Sequence, residues 1–283
     1  MFQLAIQKSG RLSEDSLNLV KECGIALNRH DNRLKTQALN FPIEILFLRD
    51  DDIPEYIADG VVDAGIVGEN MLIESKKEVV VVEKLGFSKC RLCMAVPNSA
   101  TYDGINTLNG KSIATSYPVS LQKFLDTHNI KATIKVISGS TEIAPSIGLA
   151  DAICDIVSSG STLISNGLRE VETVLKSEAV LARHKTLSPE KNKIFEDLLF
   201  RIQAVLRARR FKYILLNAPD AKLNNIIAAL PGLRAPTVMP LAESGWSSVH
   251  TVIQEDQFWE KIGKLKDAGA EGILVLPIEK LIY

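Results

Sequence analysis

The residues richest in chemistry stand in one stretch, EIAPSIGLADAICDIVSSGSTL, over residues 142–163. Near its end Ser158-Ser159-Gly160-Ser161-Thr162 gathers three serines, a glycine and a threonine ahead of apolar Leu163 and Ile164. A short hydroxyl-rich turn leading into a helix offers free backbone N–H groups and hydroxyl donors, and those suit an anion, above all a phosphate. Asp151 and Asp155, four apart, cannot serve the phosphate itself, since like charges repel. Carboxylates beside a phosphate site suit sugar hydroxyls or a bridging Mg²⁺ instead. A phosphate together with a diol describes a ribose phosphate. The turn alone fits an ordinary helix cap with solvated aspartates equally well, so the combination carries the reading.

These groups need elements to hold them. The apolar run Ala152, Ile153, Ile156 and Val157 has the composition of a strand covered on both faces, and it delivers Asp155 and then the turn. Glu142 lies on a short helical segment that Gly148 can close. Upstream, 111–115 and 130–137 read as strands around a helix over 119–129, the first strand ending in Ser116-Tyr117-Pro118. At the start of the chain, 2–6 is a strand broken by Gln7-Lys8-Ser9-Gly10-Arg11, followed by a helix with Ser13 as N-cap and Gly24 past its end. Strand, glycine loop and helix make a ligand-facing edge, where Lys8 and Arg11 serve either a triphosphate or the solvent. Arg29, His30 and Arg33 fall in a polar connection, and a strand over 41–48 ends in Arg49-Asp50-Asp51-Asp52, four charges that mark a cleft rim. Ile53-Pro54 starts a short helix, 61–67 is a strand, and Gly68-Glu69-Asn70 opens the next helix. Strands over 79–82 and 91–96 flank a hinge. Those over 171–175 and 179–182 are expected to return the chain to the first lobe, and Ser188-Pro189-Glu190 caps the helix that follows.

Beyond a boundary near Lys212 the expected order changes to βαββαβ, the ferredoxin-like unit. Asp220 is expected to cap its first helix, and Phe258, Trp259, Ile262 and Leu265 to form one buried face of its second, with Phe258 and Trp259 as core aromatics. The rest of the chain alternates strand and helix, so the class is α/β.

Composition narrows the partners. At 283 residues with a net charge of -1, two or three domains are expected and no general polyanion-binding surface, so nucleic acid and anionic membranes are poor partners. The Cys90-x-x-Cys93 pair lacks the second pair a zinc site needs, and all four cysteines sit in apolar segments as buried thiols. With no membrane span and apolar residues 2–6 ahead of Lys8 and Arg11, a cytoplasmic protein is expected.

The organising stretch also carries a resemblance. Glu142, Gly148, Ala150, Ile153, Asp155, Ile156, Ser159, Gly160, Thr162 and Leu163 stand in the order and spacing of the signature of the ATP phosphoribosyltransferase family, the first enzyme of histidine biosynthesis. IQKSGRLSEDS, RDDDIP, DGVVDAGIVGEN, NGKSIATSYP and LPIEK extend the likeness along the chain. It resembles the long form of that family, which implies a two-lobed body like the type II periplasmic binding proteins, plus the ferredoxin-like tail as a regulatory domain. Lobe I is then 1–88 with 171–211, lobe II 89–170, and the tail 212–283.

The resemblance implies transfer of 5-phosphoribosyl from phosphoribosyl pyrophosphate to N1 of ATP, with Mg²⁺ held mainly through substrate and diphosphate released. Glu142, Asp151, Asp155, Ser158, Ser159, Gly160, Ser161 and Thr162 are then assigned to phosphoribosyl pyrophosphate. ATP is assigned Lys8, Gly10, Arg11, Gly68 and Tyr117, and the leaving diphosphate is assigned Arg33 and Arg49 as catalytic groups. Thr237 and Gly272 are assigned to L-histidine as feedback inhibitor, and dimers or hexamers are implied. The competing classes are a two-lobed sensor or regulatory subunit, and a related enzyme acting on another base. Retention of Asp151, Asp155 and the whole of Ser158 to Thr162 favours the enzyme.

Overall fold

The computed structural model describes residues 1–28, 34–230 and 235–282. In chain order the first part contains β1 (Phe2–Gln7), α1 (Arg11–Glu22), β2 (Lys35–Gln37), β3 (Ile43–Leu48), α2 (Ile53–Ala58), β4 (Ala64–Gly68), α3 (Glu69–Ser75) and β5 (Val80–Lys84). Then come β6 (Cys90–Pro97), β7 (Ser112–Thr115), α4 (Pro118–Thr127), β8 (Thr133–Val136), β9 (Ala152–Val157), α5 (Ser161–Ser165), β10 (Leu168–Ser177), β11 (Ala179–Arg183) and α6 (Pro189–Ala208). The tail holds β12 (Phe211–Pro219), α7 (Leu223–Ala229), β13 (Thr237–Pro240), β14 (Trp246–Gln254), α8 (Glu255–Asp267) and β15 (Glu271–Pro277).

Two sheets build the first part. One has the order β2-β3-β1-β4-β11-β5 and the other β10-β6-β9-β7-β8. In the first, β1 lies parallel between β3 and β4, while β11 runs antiparallel to both β4 and β5. In the second, β7 lies parallel between β8 and β9, while β6 runs antiparallel to both β9 and β10. From β3 to β5 and from β8 to β10 the two sheets therefore share one topology. Each has three parallel strands in the order second, first, third, then one antiparallel strand that arrives by crossing from the other sheet. This is the architecture of the type II periplasmic binding proteins. Strands interior to such sheets are covered on both faces, which is why Phe2, Leu4, Ala5 and Ile6 of β1 and Ala152, Ile153 and Cys154 of β9 are all buried.

Several expectations change at this level. The 171–175 strand belongs to β10 and pairs with β6 in the second sheet; the chain regains the first sheet only at β11. Periodicity gives a strand but not its partner. Helix α1 begins at Arg11, with the Glu14 N–H donating to the Gly10 carbonyl, so Ser13 lies buried inside the first turn rather than capping it. Strand β2 was not anticipated; it forms by antiparallel pairing with β3.

The chain gathers into two compact units, residues 1–21 with 25–195, and 22–24 with 196 onward. The division falls inside α6, upstream of the boundary expected near Lys212. The second half of α6 bonds with the tail, as the Leu281 N–H donates to the Ala204 carbonyl at 3.0 Å, and just past the helix the Arg210 carbonyl accepts the Glu255 N–H at 2.9 Å. Within that unit the sheet order is β13-β14-β12-β15, which with the βαββαβ sequence is the ferredoxin-like fold. Its core is Ile214, Leu216, Ala218, Ile226, Val249, Ile253 and Leu265, with Phe258 packed against it.

Two tail expectations fail. Trp259 is 77% exposed, because Phe258, Ile262 and Leu265 follow the i, i+4, i+7 line of a helical face and the next residue is turned about 100° away. The Asp220 carboxylate accepts the Ser247 hydroxyl at 2.6 Å instead of capping a helix.

Candidate active site

In a parallel sheet the loops that bind ligands lie at the carboxyl ends of the strands. On the first sheet those ends carry Lys8 to Arg11 after β1, Arg49 to Asp52 after β3, and Gly68 to Asn70 after β4. On the second they carry Ser116 and Tyr117 after β7 and Ser158 to Thr162 after β9. The two edges come near one another at Tyr117. Burial, then the charges of Asp155 and Asp50, raise the pKa of the Tyr117 phenol, and those carboxylates come from the second and the first sheet respectively.

The turn after β9 is built on Gly160 at φ +84°, a conformation that costs a side-chain-bearing residue about 1–2 kcal/mol. A Cβ there would meet only Val157 Cγ1 at 3.8 Å, so conformation rather than space demands glycine. Ser159 Oγ and Ser161 Oγ lie 3.0 Å apart, one hydroxyl donating to the other. Ser159 and Gly160 give their N–H groups to no backbone carbonyl among the described residues. The following helix α5 has only five residues, so its dipole is weak and the turn's capacity for an anion rests on its own N–H and hydroxyl groups.

Asp155 is half-buried within the second half of β9, and burial raises its pKa above the ordinary aspartate range. Nearby Glu142 pushes it further in the same direction, while the Ile156 N–H, donating to Asp155 Oδ1 at 2.7 Å, and the Thr141 hydroxyl oppose the rise. The Thr141 hydroxyl is fully buried and has no aligned hydrogen-bond partner among the described residues, so its influence on Asp155 is through proximity. Glu142, Thr141, Asp155 and Tyr117 therefore form one neighbourhood, and the turn begins three residues after Asp155.

Asp151 does not join it. At the opposite end of β9, its Oδ2 accepts both the Ser112 N–H and the Ser112 hydroxyl at 2.8 Å, and Lys111 Nζ lies 3.6 Å from Oδ1. The Ser112 hydrogen bonds hold its pKa below the usual range. Six strand residues, about 20 Å, separate it from the turn, so Asp151 fastens β7 to β9 and is removed from the ligand assignment.

On the first sheet, Lys8 is exposed, and exposed Arg11 lies 3.9 Å from the partly buried Asp15. Gly68 caps α3 where a Cβ would come within 2.5 Å of Asn70 Oδ1, so close approach fixes this glycine. Arg49 is ion-paired with Asp51 through two 3.2 Å bonds and its side chain is 74% exposed, placing it on the rim. Arg33 lies outside the described residues. Thr237 and Gly272 occupy β13 and β15, the two outer strands of the tail sheet, about 14 Å apart across three strand spacings. One copy of the tail does not bring them together.

Sequence reasoning missed Glu74. This α3 carboxylate accepts the Val119 N–H at 2.8 Å, the Ser120 N–H at 2.9 Å and the Ser120 hydroxyl at 2.8 Å, capping α4 of the second lobe from the first. Arg91 and Glu170 were also missed; they meet through tertiary pairing and leave no local signal.

Residues 49–204 match the family described as ATP phosphoribosyltransferase, and residues 208–280 match the HisG C-terminal domain. The chain is 61% identical over 282 residues to ATP phosphoribosyltransferase of Cytophaga hutchinsonii, covering 100% of this chain and 99% of that protein. It is 56% identical to that of Bacteroides thetaiotaomicron, with 100% of each covered. A solved structure, the ATP phosphoribosyl transferase (HisG:HisZ) complex of Thermotoga maritima, matches 73% of this chain and 99% of its own at 27% identity and a TM-score of 0.64. The chain belongs to the ATP phosphoribosyltransferase family, transferases of histidine biosynthesis.

Proposed function

We propose that the chain joins the C1 carbon of phosphoribosyl pyrophosphate to N1 of ATP and releases diphosphate. The observation that carries this reading is the Ser158 to Thr162 turn, whose Ser159 and Gly160 N–H groups have no backbone partner among the described residues, three residues after Asp155 in a chain of this family. The turn takes the 5-phosphate through the N–H groups of Ser159 and Gly160 and the hydroxyls of Ser158, Ser159, Ser161 and Thr162. Asp155 and Glu142 take the ribose hydroxyls. Lys8, Gly10, Arg11 and Gly68 at the first sheet's edge, with Tyr117 from the second sheet, take ATP. As the C1–O bond to diphosphate breaks, positive charge grows on the sugar and negative charge on the leaving group. Arg49, after leaving Asp51, and Arg33 neutralise the latter. The enzyme's main task is to hold two polyanions in line.

Among the described residues no cluster of three or more His, Cys, Asp or Glu forms a metal cage. The pair Glu142 and Asp155 suits Mg²⁺, which keeps most of its waters and binds through one or two carboxylates plus substrate phosphates. Bound there with the diphosphate, Mg²⁺ would supply charge neutralisation. Among the described residues no helix is long and apolar enough to cross a membrane, and this reading requires the cytoplasm, where both substrates are available.

The deciding experiment measures diphosphate release as each substrate is varied. Release that needs both ATP and phosphoribosyl pyrophosphate is expected; release from either alone, or none, overturns the assignment and favours a sensor or another acceptor base. We further propose that the tail mediates inhibition by L-histidine at a site formed between copies in a dimer or hexamer. The separation of Thr237 from Gly272 within one tail supports this placement, since only a second copy can bring the two strand edges together. Full-length enzyme insensitive to millimolar histidine would refute it.

A further inference from the structure

Arg91 on β6 spends most of its guanidinium on one carboxylate. Its Nε lies 2.9 Å and 3.1 Å from the two oxygens of Glu170, and Nη2 lies 2.6 Å from Oε2. The remaining arm, Nη1, donates to the Ser158 carbonyl at 3.1 Å. Glu170 is held in turn by the buried Cys93, whose thiol donates to Oε1 at 2.9 Å. Burial and this carboxylate push the thiol pKa up to about 12, so Cys93 remains a protonated donor. The chain Cys93, Glu170, Arg91, Ser158 thus runs from the buried face of the second sheet to the first residue of the phosphate turn.

We propose that Arg91, oriented by Glu170, is a positioning residue that sets the direction of the Ser158–Ser159 peptide and so aims the Ser159 N–H at the bound phosphate. A trans peptide is planar, with its C=O and N–H pointing opposite ways. Fixing the Ser158 carbonyl on Arg91 therefore turns the Ser159 N–H to the far side and keeps a carbonyl oxygen from facing an anion. A glycine lies next but one, and a turn containing it has backbone freedom that this bond removes. Arg91 is not itself the phosphate ligand here, because its charge is matched by Glu170 in a bidentate pair.

This proposal rests on the reading that the turn binds phosphoribosyl pyrophosphate, and the test separates the two. Full-length Arg91→Ala, Arg91→Lys and Glu170→Gln are compared with Gly160→Asp by initial rates with each substrate varied. Arg91→Ala is expected to raise KM for phosphoribosyl pyrophosphate about tenfold or more, the size expected for losing a charge-assisted hydrogen bond, with KM for ATP unchanged and kcat changed less. Arg91→Lys should recover part of the loss, since one ammonium can reach the carbonyl or the carboxylate but not keep both in register. Glu170→Gln should raise the same KM several-fold. It nearly preserves shape, so it carries the test should Arg91→Ala not fold. If Arg91 were instead a direct ligand, freeing it from Glu170 would leave KM unchanged or lower it, and that result overturns the proposal. Wild-type KM in Arg91→Ala does the same. Wild-type use of phosphoribosyl pyrophosphate by Gly160→Asp would show that the turn is not the site; loss there alongside unaffected Arg91 and Glu170 variants would sink only the positioning role.

Discussion

Removing the Glu74 carboxylate should loosen α4 by an amount the geometry sets. Helix α4 starts at Pro118, and its N-cap position, Tyr117, supplies no side-chain hydrogen bond. The N–H groups of Val119 and Ser120 are satisfied by Glu74 at 2.8 Å and 2.9 Å, and Ser120 is buried, so water cannot readily replace the carboxylate. Losing a cap costs about 1 kcal/mol, leaving a buried N–H unmet about 1–3, and removing an anion from a helix N-terminus about 0.3–1. These overlap, and about 3 kcal/mol is expected for Glu74→Ala. Glu74→Gln retains one acceptor oxygen and should cost about half as much. The assay is hydrogen exchange at the Val119 and Ser120 amides, read with the urea midpoint. In Glu74→Ala both amides should exchange about a hundredfold faster, which is that energy expressed as an opening constant. Unchanged exchange with a midpoint shift worth less than about 0.5 kcal/mol would mean that water caps α4 adequately and that the latch contributes little.

The other predictions concern the second sheet. Gly160→Ala should cost about 1–2 kcal/mol through its positive φ yet keep measurable turnover, whereas Gly160→Asp should lose use of phosphoribosyl pyrophosphate; equal activities would show that charge at the turn is irrelevant. Asp155 has a raised pKa in the fold, so the native state holds more protons than the unfolded chain between the ordinary and raised values, and this group's contribution to stability falls as pH rises through that window. Asp155→Asn should therefore be more stable than wild type at neutral pH, weaken phosphoribosyl pyrophosphate more than ATP, and remove the acid limb of kcat/KM attributable to this group. A destabilised variant, or a defect confined to ATP, would contradict that account. Asp151→Asn should leave both KM values alone and lower stability by roughly 1 kcal/mol, because the bonds weakened are those to Ser112 on an exposed side chain; a selective phosphoribosyl pyrophosphate defect would return this residue to the site.

Local chemistry was enough to find all the strands but β2, the hydroxyl-rich turn and the βαββαβ tail. A glycine among hydroxyl residues after an apolar run, and period-two alternation between turn signals, each declare themselves within a few residues. The placement of Asp155 was legible for the same reason, since it lies on the strand that leads into the turn. Asp151 shows the limit of that reasoning: spacing along one strand gave two aspartates near one ligand, but Asp151 stands at the end of the strand away from the turn. Register with Ser112 on the parallel neighbour, a relation between distant segments, decided its role. The same holds for β10, whose composition specified a strand while pairing with β6 placed it in the second sheet. Glu74, Arg91 and Glu170 were invisible for a related reason. A carboxylate capping a helix 45 residues away, or a guanidinium gripping a carbonyl 67 residues away, has no signature in its own neighbourhood and exists only once the sheets and helices are packed.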